Sequence, residues 1–311
     1  MRLKFFGLLH LEEKEQSAMN LAVADFQDQI ITYLKNAITL SNSLYYFGNS
    51  FKLITNRKDI IDEYLSSINK SLQVIEIPFI TEIPKGTKFY SAHFKLDVYR
   101  YFSSLIDEYI IFCDLDVLCV NATPLNLINN VESRIPIFYD VSDQVIPAFG
   151  REAIIGDLSL INSINSEGRW AGGEFISGTP NFFKSLMEEI DNIYGNYIEN
   201  LNSLRQVNDE PLVSAALELL RKKGINIVDA GTLGIIGRYW SVDTKHYQKP
   251  YDYFKQCFLI HLPADKKFLA RQTNQEFTPQ TVLENYSRYH NAFSFKKWRK
   301  RMSRRIRNLF T

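Results

Sequence analysis

The sequence has no long apolar run and few cysteines. No stretch reaches the roughly 18 apolar residues that a helix needs to cross a bilayer. The N-terminus leads directly into a strand-like segment, Leu3–Leu9, without the pattern of a secretory cleavage site. The cysteines are odd in number and lie in apolar surroundings, at Cys113, Cys119 and Cys257. These absences argue against a membrane-spanning or disulfide-stabilised protein and predict a cytoplasmic one with reduced core cysteines.

Acidic residues are absent from the C-terminal end. The near-neutral net charge of the whole chain therefore conceals an uneven distribution of charge. The formal net charge is +1, yet eight Lys or Arg residues lie between Lys296 and Arg307, and no acid occurs from Asn291 onward. Removing those eight from the total of 36 leaves 28 basic against 35 acidic residues, a net charge of −7. The sequence therefore predicts an acidic body with a basic tail.

The basic tail also carries an apolar stripe at helical spacing. A helix with one apolar and one basic face is typical of a segment that lies on an anionic membrane surface. The alternative is a basic arm that binds nucleic acid. We favour binding to the inner face of the cell membrane, because an apolar stripe would not contribute to binding the phosphates of a nucleic acid. The acidic body also argues against a nucleic-acid partner, and we expect none. The stripe consists of Phe295, Trp298, Met302, Ile306 and Leu309.

The rest of the sequence alternates strand-like and helix-like segments. With 311 residues, of which 45% are hydrophobic, the chain is long enough for one large α/β domain or two ordinary ones. No linker-like change of composition and no internal repeat is visible before the tail. This predicts one domain over residues 1–290 and a tail over residues 291–311. Strands separated by helices predict βαβ units and a mostly parallel sheet.

Apolar periodicity assigns the individual segments. The predicted strands are Leu3–Leu9, Phe51–Thr55, Leu72–Ile77, Ile135–Tyr139, Glu174–Ser177, Ile225–Asp229 and Cys257–Leu262. The predicted helices are Ala18–Phe47, Asp59–Ile68, Ser91–Leu105, Asn181–Asn200 and Glu210–Lys223.

Two aspartates, Asp114 and Asp116, interrupt an apolar run that extends over Tyr109–Val120. The run predicts a buried strand. Carboxylates are almost never fully buried unless they are paired or bind a metal, and two neighbouring ones repel each other. A divalent cation removes both penalties. We therefore expect the strand to end here and to present both aspartates to a hard metal ion and its phosphate ligands.

This Asp-x-Asp in its strand context resembles the signature of GT-A glycosyltransferases, which use nucleotide-sugars. Any turn with two carboxylates produces the same pattern, so other segments must agree. The segment Lys95–Arg100 (Lys-Leu-Asp-Val-Tyr-Arg) lies about nineteen residues before Asp114 and resembles the helix that precedes the metal strand in retaining GT-A enzymes. The resemblance implies that Lys95, or less favourably Arg100, binds the donor. The alternative is a solvated helix lysine.

A glycine pair, Gly172 and Gly173, enters the predicted strand in the segment Trp-Ala-Gly-Gly-Glu-Phe-Ile-Ser-Gly at 170–178. Glycine there lets a ligand approach the backbone closely. The segment resembles the donor-sugar strand of glycosyltransferase family 8, usually Asn-x-Gly, and the Gly-Gly segment of family 6. The resemblance implies donor binding at both glycines, although Ala171 replaces the family 8 asparagine. The alternative is a β-bulge in an ordinary strand.

Two acids, Asp209 and Glu210, open a predicted helix, where they complement the helix dipole. The segment Asn-Asp-Glu-Pro-Leu also resembles the Asp-Gln-Asp-led helix of family 8 and the Asp-Glu of family 6. The resemblance implies that Glu210 lies at the reaction centre, where it would stabilise an oxocarbenium-like transition state or act as a nucleophile. It implies that Asp209 binds a hydroxyl of the donor sugar.

His261 stands at the end of a predicted strand, with Lys267 six residues further on. The spacing resembles the His-x-x-Gly-x-x-Lys motif of family 8, with Ala264 in place of the glycine. The resemblance implies that His261 completes the metal site, that Lys267 neutralises the diphosphate and that Leu115 contacts the donor. Two carboxylates and one imidazole suit Mn²⁺, or Mg²⁺, better than Ca²⁺. A lone histidine at a strand end is otherwise more often a core residue.

These resemblances imply a metal-dependent, retaining glycosyltransferase with a GT-A fold. It would move a hexose from a UDP-sugar to a lipopolysaccharide, lipid-linked or other surface-glycan acceptor. The nucleotide is expected at the carboxyl ends of the first strands, near Leu8–His10 and Asn56–Arg57. Two alternatives remain open. One is an inverting enzyme that uses Asp209 or Glu210 as a base, and the other is a catalytically silent sugar-binding protein of the same fold.

Overall fold

A computed structural model of the chain describes residues 2–12, 26–274 and 276–291. Within these ranges the protein has ten strands and eleven α-helices, with 3₁₀ turns at Tyr90–Phe94 and Arg271–Asn274. The strands are β1 (Lys4–Leu9), β2 (Ser50–Thr55), β3 (Gln73–Glu76), β4 (Ile110–Cys113), β5 (Val117–Cys119), β6 (Ile137–Asp140), β7 (Ala171–Gly178), β8 (Val228–Asp229), β9 (Ile236–Arg238) and β10 (Leu259–His261). The helices are α1 (Phe26–Tyr46), α2 (Lys58–Ser67), α3 (Lys95–Ser103), α4 (Leu125–Glu132), α5 (Ser142–Phe149), α6 (Arg151–Asn162), α7 (Pro180–Glu199), α8 (Asp209–Lys222), α9 (Tyr251–Phe254), α10 (Lys266–Ala270) and α11 (279–291).

Seven of these strands form a central sheet in the order β3-β2-β1-β4-β7-β6-β8. The pairs β3/β2, β2/β1, β1/β4 and β6/β8 are parallel, whereas β7 runs antiparallel to both β4 and β6. All four residues of β4 are buried, which explains its continuous apolar sequence. The predicted α/β class with a mostly parallel sheet is confirmed.

A second, three-stranded sheet has the order β5-β10-β9. Strand β10 is antiparallel to β5 and parallel to β9, and this sheet packs on α11 with an apolar cluster of its own that includes Phe268, Val282 and Tyr286. The chain passes from the first sheet to the second within three residues, 114–116, between β4 and β5. The Asp-x-Asp segment is therefore the junction between the two sheets.

Most predicted elements are present with shifted ends, and one helix is divided. The predicted helix Ser91–Leu105 begins as a 3₁₀ turn that follows Phe89, whose φ is +51°, and becomes α-helical only at Lys95. The predicted strand Glu174–Ser177 begins earlier, at Ala171, and includes the glycine pair. The short elements α4, α5, α6, β9, α9, α10 and α11 were not predicted, because segments of three to thirteen residues show little periodicity.

Two sequence-based predictions concern residues that lie partly or wholly outside the described ranges. Residues 18–25 of the predicted first helix and residues 292–311 of the basic tail lie outside the described residues. The division into a domain and a tail therefore stays a prediction. Among the described helices, none combines the length and apolarity that a bilayer crossing requires. All three cysteines are buried and unpaired, as expected.

Candidate active site

A large cavity opens at the carboxyl ends of β1 and β4, where the two sheets meet. Its volume is about 1030 Å³, and its walls include the predicted residues Asp114, Asp116, Asp209, Glu210 and His261. Parallel neighbouring strands end at the same edge of a sheet, and ligands of α/β proteins bind beyond that edge. The cavity therefore brings together residues that lie about 150 positions apart in the sequence.

Asp114, Asp116 and His261 form one cluster in the cavity wall. Each offers a ligand atom within 4.8 Å of the others. Asp114 follows β4 directly, and Asp116 directly precedes β5. His261 is the last residue of β10 and pairs with Val117 of β5, so its Nε2 lies 3.1 Å from Oδ1 of Asp116. Strand register thus creates the three-residue grouping that the sequence predicted.

The donor atoms of this cluster fit a divalent cation. Two carboxylates and one imidazole are ligands that Mn²⁺ accepts, and Asp114 remains partly open to the cavity, with 29% of its side chain exposed. The ligating nitrogen would be Nε2, because Nδ1 lies 3.1 Å from Oε1 of the buried Glu174 and carries the hydrogen toward it. Such an outer-shell carboxylate fixes the tautomer of a metal-binding histidine.

Two buried lysines neutralise the aspartates. Lys266 Nζ lies 2.5 Å from Oδ2 of Asp116, and Lys95 Nζ lies 2.9 Å from Oδ1 of Asp114. Lys95 also lies 3.2 Å from Oδ2 of Asp209 and donates to the carbonyl of Gly173 at 2.8 Å. Lys95 thus connects the cluster of Asp114, Asp116 and His261 to the start of α8, which a solvated helix lysine would not do.

Lys266, and not the predicted Lys267, lies at the cluster. Lys267 is exposed and lies outside the cavity lining, whereas Lys266 is buried and lines the cavity. The two lysines are adjacent at the start of α10, so one residue of helical rotation decides which of them faces the cavity. Lys266 is therefore the lysine that the structure places beside Asp116.

The charges around the cluster shift its pKa values strongly. Burial lowers the pKa of His261, but the charges of Asp116 and Glu174 outweigh burial and raise it to about 9. Burial raises the pKa of Asp116, but Lys266 and His261 outweigh it and hold that pKa well below its usual range. Burial raises the pKa of Asp114 despite Lys95. A cation bound at His261 requires an unprotonated Nε2, so protons and metal compete for this site.

Both oxygens of Glu210 accept hydrogen bonds. Oε1 accepts from the Arg238 guanidinium at 2.7 Å and from the backbone N–H of Gly173 at 3.2 Å, while Oε2 accepts from Trp170 Nε1 at 2.9 Å. The side chain of Asn208 caps α8 by accepting from the backbone N–H of Glu210 at 3.1 Å. Glu210 is thus held in one orientation as an anion at the cavity wall.

Asp209 occupies a different environment, although it is the next residue. It is buried, and burial raises the pKa of its carboxyl to about 6, although Lys95 opposes the shift. Neighbouring carboxylates whose environments differ in this way are suited to different roles. Asp209 is the one whose pKa lies close to neutrality.

The glycine pair makes room for two buried ion pairs. A Cβ on Gly172 would collide with the carboxylate of Glu174 and lie 2.9 Å from Arg238, and a Cβ on Gly173 would lie 2.6 Å from Asp209 Oδ2. Neither glycine lies in the cavity lining, and Leu115 does. The glycines were predicted to let a ligand approach the backbone, and in the structure the groups that lie close to them are the protein's own charged side chains.

Glu174 and Arg238 are site residues that the sequence analysis missed. Arg238 donates to both oxygens of Glu174, from Nε at 2.6 Å and from a terminal nitrogen at 2.5 Å. Glu174 is fully buried within β7 and Arg238 is 5% exposed at the end of β9. A carboxylate inside an apolar strand was the available signal for Glu174. The sequence around Arg238 contained no comparable signal, because β9 is only three residues long.

The expected nucleotide region lies at one end of the cavity. Leu8, Leu9 and His10 line it, and His10 also borders an adjoining cavity that includes Asn56. The His10 ring stacks on Phe94 with centroids 3.9 Å apart, and burial lowers its pKa to about 4. Arg57 instead pairs with Asp59 at the surface.

Three aromatic rings form another part of the cavity wall. Trp240 and His246 are nearly parallel, at 21°, with centroids 5.8 Å apart, and Phe149 meets His246 edge-on. Gln248 holds the backbone of Trp240 through hydrogen bonds of 2.8 and 2.9 Å. Arg238 and Glu210 both influence the pKa of His246, which burial lowers. The rings therefore line the same cavity as the predicted reaction-centre residue Glu210.

No protein-family model matches the sequence, and no curated protein matches it. Among solved structures, the galactosyltransferase LgtC in complex with donor and acceptor sugar analogs is similar over 88% of this chain and 97% of that one, with 10% identity and a TM-score of 0.49. An active-site mutant of LgtC is similar over 91% and 94% of the two chains, with 10% identity and a TM-score of 0.47.

The apo structure of WbbM, a bifunctional glycosyltransferase, is also similar. The match covers 84% of this chain and 45% of that chain, with 11% identity and a TM-score of 0.49. This chain therefore corresponds to less than half of the WbbM chain.

Proposed function

We propose that this protein is a metal-dependent glycosyltransferase that moves a hexose from a UDP-sugar to a glycan or glycolipid acceptor. The observation that carries the proposal is the cluster of Asp114, Asp116 and His261 in the wall of a large cavity, with Asp209 and Glu210 in the same wall. A nucleotide-sugar needs a cation site for its diphosphate and carboxylates beside its anomeric carbon. Residues suited to both tasks line one cavity.

Each group of residues has a separate part in this proposal. Asp114, Asp116 and His261 would hold Mn²⁺ or Mg²⁺, which when bound acts as a Lewis acid on the leaving diphosphate. Lys266 supplies further positive charge to the same diphosphate. Lys95 holds Asp114 and Asp209 in their relative positions. Asp209 would accept a hydrogen bond from the donor sugar.

Glu210 would stabilise positive charge at the anomeric carbon. Three hydrogen-bond donors fix the orientation of its carboxylate. An anion that is already oriented stabilises a developing oxocarbenium ion without reorganisation during the reaction. This fits a retaining reaction, in which the product keeps the configuration of the donor.

The acceptor would bind against the aromatic rings of Phe149, Trp240 and His246. The C–H face of a sugar carries small positive charges, and the face of an aromatic ring is negative, so the two surfaces attract each other. The rings line the same cavity as Glu210, beside which the acceptor hydroxyl would lie. The terminal sugar of a glycan is therefore the acceptor that we expect to pack against these rings.

The basic tail would bring the enzyme to a membrane that carries the acceptor. This part of the proposal rests on the sequence of residues 291–311, whose apolar stripe and eight basic residues suit an anionic leaflet at the cytoplasmic face. Deletion of the chain after residue 290 should abolish binding to phosphatidylglycerol vesicles and leave donor hydrolysis unchanged. Equal vesicle binding by the shortened and complete chains would contradict it.

The proposed function is tested by donor hydrolysis across a panel of UDP-, GDP- and CMP-sugars, with Mn²⁺ and with EDTA. We expect one UDP-sugar to be consumed only with metal, and expect Asp116→Asn to abolish that turnover. Metal-independent turnover, or turnover of a CMP-sugar alone, would contradict the assignment of the aspartates. Equal donor affinity of Asp116→Ala and the parent protein, with and without Mn²⁺, would favour a catalytically silent sugar-binding protein.

An inverting reaction is the second candidate, and the environment of Asp209 favours it. A carboxyl whose pKa is about 6 can accept a proton from an acceptor hydroxyl near neutral pH. The two candidates differ in the product. NMR coupling constants of the new glycosidic bond distinguish them, because an α-linked donor gives an α-linked product by retention and a β-linked one by inversion.

A further inference from the structure

A continuous chain of buried charged groups connects the metal cluster to Glu210. His261 Nδ1 donates to Oε1 of Glu174 at 3.1 Å, Glu174 accepts two hydrogen bonds from Arg238, and Arg238 donates to Oε1 of Glu210 at 2.7 Å. Glu174 is 0% exposed, and the side chain of Arg238 is 7% exposed. These contacts join β10, β7, β9 and α8, which are distant from one another in the sequence.

We propose that Glu174 and Arg238 are positioning residues that fix Glu210 relative to the metal ligand His261. This inference rests on the proposed function. Glu174 would orient the His261 ring and hold the Arg238 fork, and Arg238 would orient Glu210.

The geometry of Arg238 supports a role in orientation rather than in charge balance alone. A guanidinium is planar and presents its N–H groups in a fixed fork, so two carboxylates bound to it acquire a defined mutual arrangement. Its backbone is also held, because its N–H donates to the Tyr139 hydroxyl at 3.1 Å. A lysine at this position would keep the charge and lose the fork.

The sequence makes space for this arrangement. Gly172 allows the Glu174–Arg238 pair to lie against the backbone of β7, since a Cβ there would collide with Glu174. Breaking a buried ion pair by removing one partner leaves an uncompensated charge and is costly. Each residue of the pair therefore depends on the other, and both hold the site groups that they contact.

The two residues make separable contacts, and this gives the test. The side chain of Glu174 bonds to both His261 and Arg238, whereas the side chain of Arg238 bonds to Glu174 and Glu210 and meets His261 only as its backbone neighbour in the adjacent strand. Mn²⁺ affinity is measured from the EPR signal of free Mn²⁺ without nucleotide. Glu174→Gln should weaken it by roughly tenfold to 100-fold, as loss of an outer-shell partner does. Arg238→Lys should leave it within about threefold.

Donor hydrolysis supplies the second readout. Arg238→Lys should lower kcat by roughly tenfold or more with little change in the donor KM, and the same substitution should have no further effect in a Glu210→Gln background, because Arg238 acts through Glu210. A raised KM at constant kcat, or losses that multiply in the double variant, would show that Arg238 acts on the donor directly and would overturn the proposal.

Glu218→Gln is the matched control for a buried Glu-to-Gln change. Glu218 is 2% exposed and accepts hydrogen bonds from Ser166 and the backbone of Glu167, outside the cavity lining. It should leave both readouts unchanged. Equal Mn²⁺ affinity of Glu174→Gln and the parent would overturn the role of Glu174. If the parent hydrolyses no nucleotide-sugar, the proposed function fails, while the Mn²⁺ affinities still decide the role of Glu174.

Discussion

The ammonium group of Lys266 lies 2.5 Å from Oδ2 of Asp116. One predicted metal ligand therefore has a positively charged partner within the protein. The lysine and a bound cation would compete for the same carboxylate, and a lysine released from Asp116 would remain in the cavity wall, where a diphosphate would bind.

Replacement of this lysine should separate metal binding from donor binding. Lys266→Met should strengthen Mn²⁺ binding without nucleotide by roughly threefold to tenfold, because a competing charge is removed. It should raise the KM for the donor, because a contact to diphosphate is lost. Lys267→Met is the control, since Lys267 lies outside the cavity lining. Equal effects of the two substitutions would contradict the assignment of Lys266.

The space beside Gly173 should be required for the Lys95–Asp209 pair. An added Cβ would lie 2.6 Å from Asp209 Oδ2 and 2.7 Å from Lys95 Nζ, so Gly173→Ala should separate the two groups. We expect a loss of about 1–3 kcal/mol in the free energy of unfolding, measured by urea denaturation, and a lower kcat.

Gly195→Ala in α7 is the control for this substitution. No atom lies within 4 Å of the added methyl group, and alanine favours the helix by about 0.5–1 kcal/mol. This variant should be as stable as the parent or more stable. Destabilisation by both substitutions would mean that steric conflict at Gly173 is not the cause.

Acid should destabilise the protein through the buried His93. Burial lowers its pKa to about 4, whereas an unfolded histidine titrates near 6.5. Between these values the unfolded chain binds more protons, so the contribution is complete above about pH 6.5 and falls as the pH approaches 4. The loss should be on the order of 2 kcal/mol in the free energy of unfolding.

Urea denaturation at pH 7 and at pH 4.5 measures this loss. His93→Gln keeps a polar group beside the Tyr197 hydroxyl, which lies 2.7 Å from His93 Nε2, and removes the titration. Its unfolding free energy should therefore fall less between the two pH values than that of the parent. An equal fall in both proteins would assign the acid sensitivity to other groups.

Substitution of Trp240 should slow sugar transfer to an acceptor and leave donor hydrolysis nearly unchanged. Trp240→Ala removes part of the aromatic wall, so the rate of transfer to a sugar acceptor should fall by roughly tenfold or more, in line with 1–2 kcal/mol for aromatic contact. Donor hydrolysis in the absence of acceptor should stay within about twofold, and Trp240→Phe should restore much of the transfer. A parallel loss of both activities in Trp240→Ala would place the ring at the donor instead.

Much of the first sheet could be predicted from the sequence, because its strands are buried runs bounded by turns. The β4 segment is apolar at every position, and the helices α1, α7 and α8 show clear periodicity. The second sheet was not predicted as a separate unit, because β5, β9 and β10 have only three residues each and their pairing depends on distant parts of the chain.

The cluster of Asp114, Asp116 and His261 could be predicted because each residue has a recognisable sequence context. The Glu174–Arg238 pair could not be paired from sequence, since the two residues lie 64 positions apart and meet only when the two sheets pack. The choice between Lys266 and Lys267 also required the structure, because it depends on the rotation of a five-residue helix.

The junction between the two sheets has a mechanical consequence. The backbone N–H of Asp114 bonds to β7 in the first sheet, while the carbonyl of Asp116 accepts from Leu262, directly after β10 in the second. The distance between the two carboxylates thus depends on how the two sheets pack against each other. A cation held by both aspartates and His261 would link the two sheets at this junction, so the rigidity of the protein would increase with occupancy of the site.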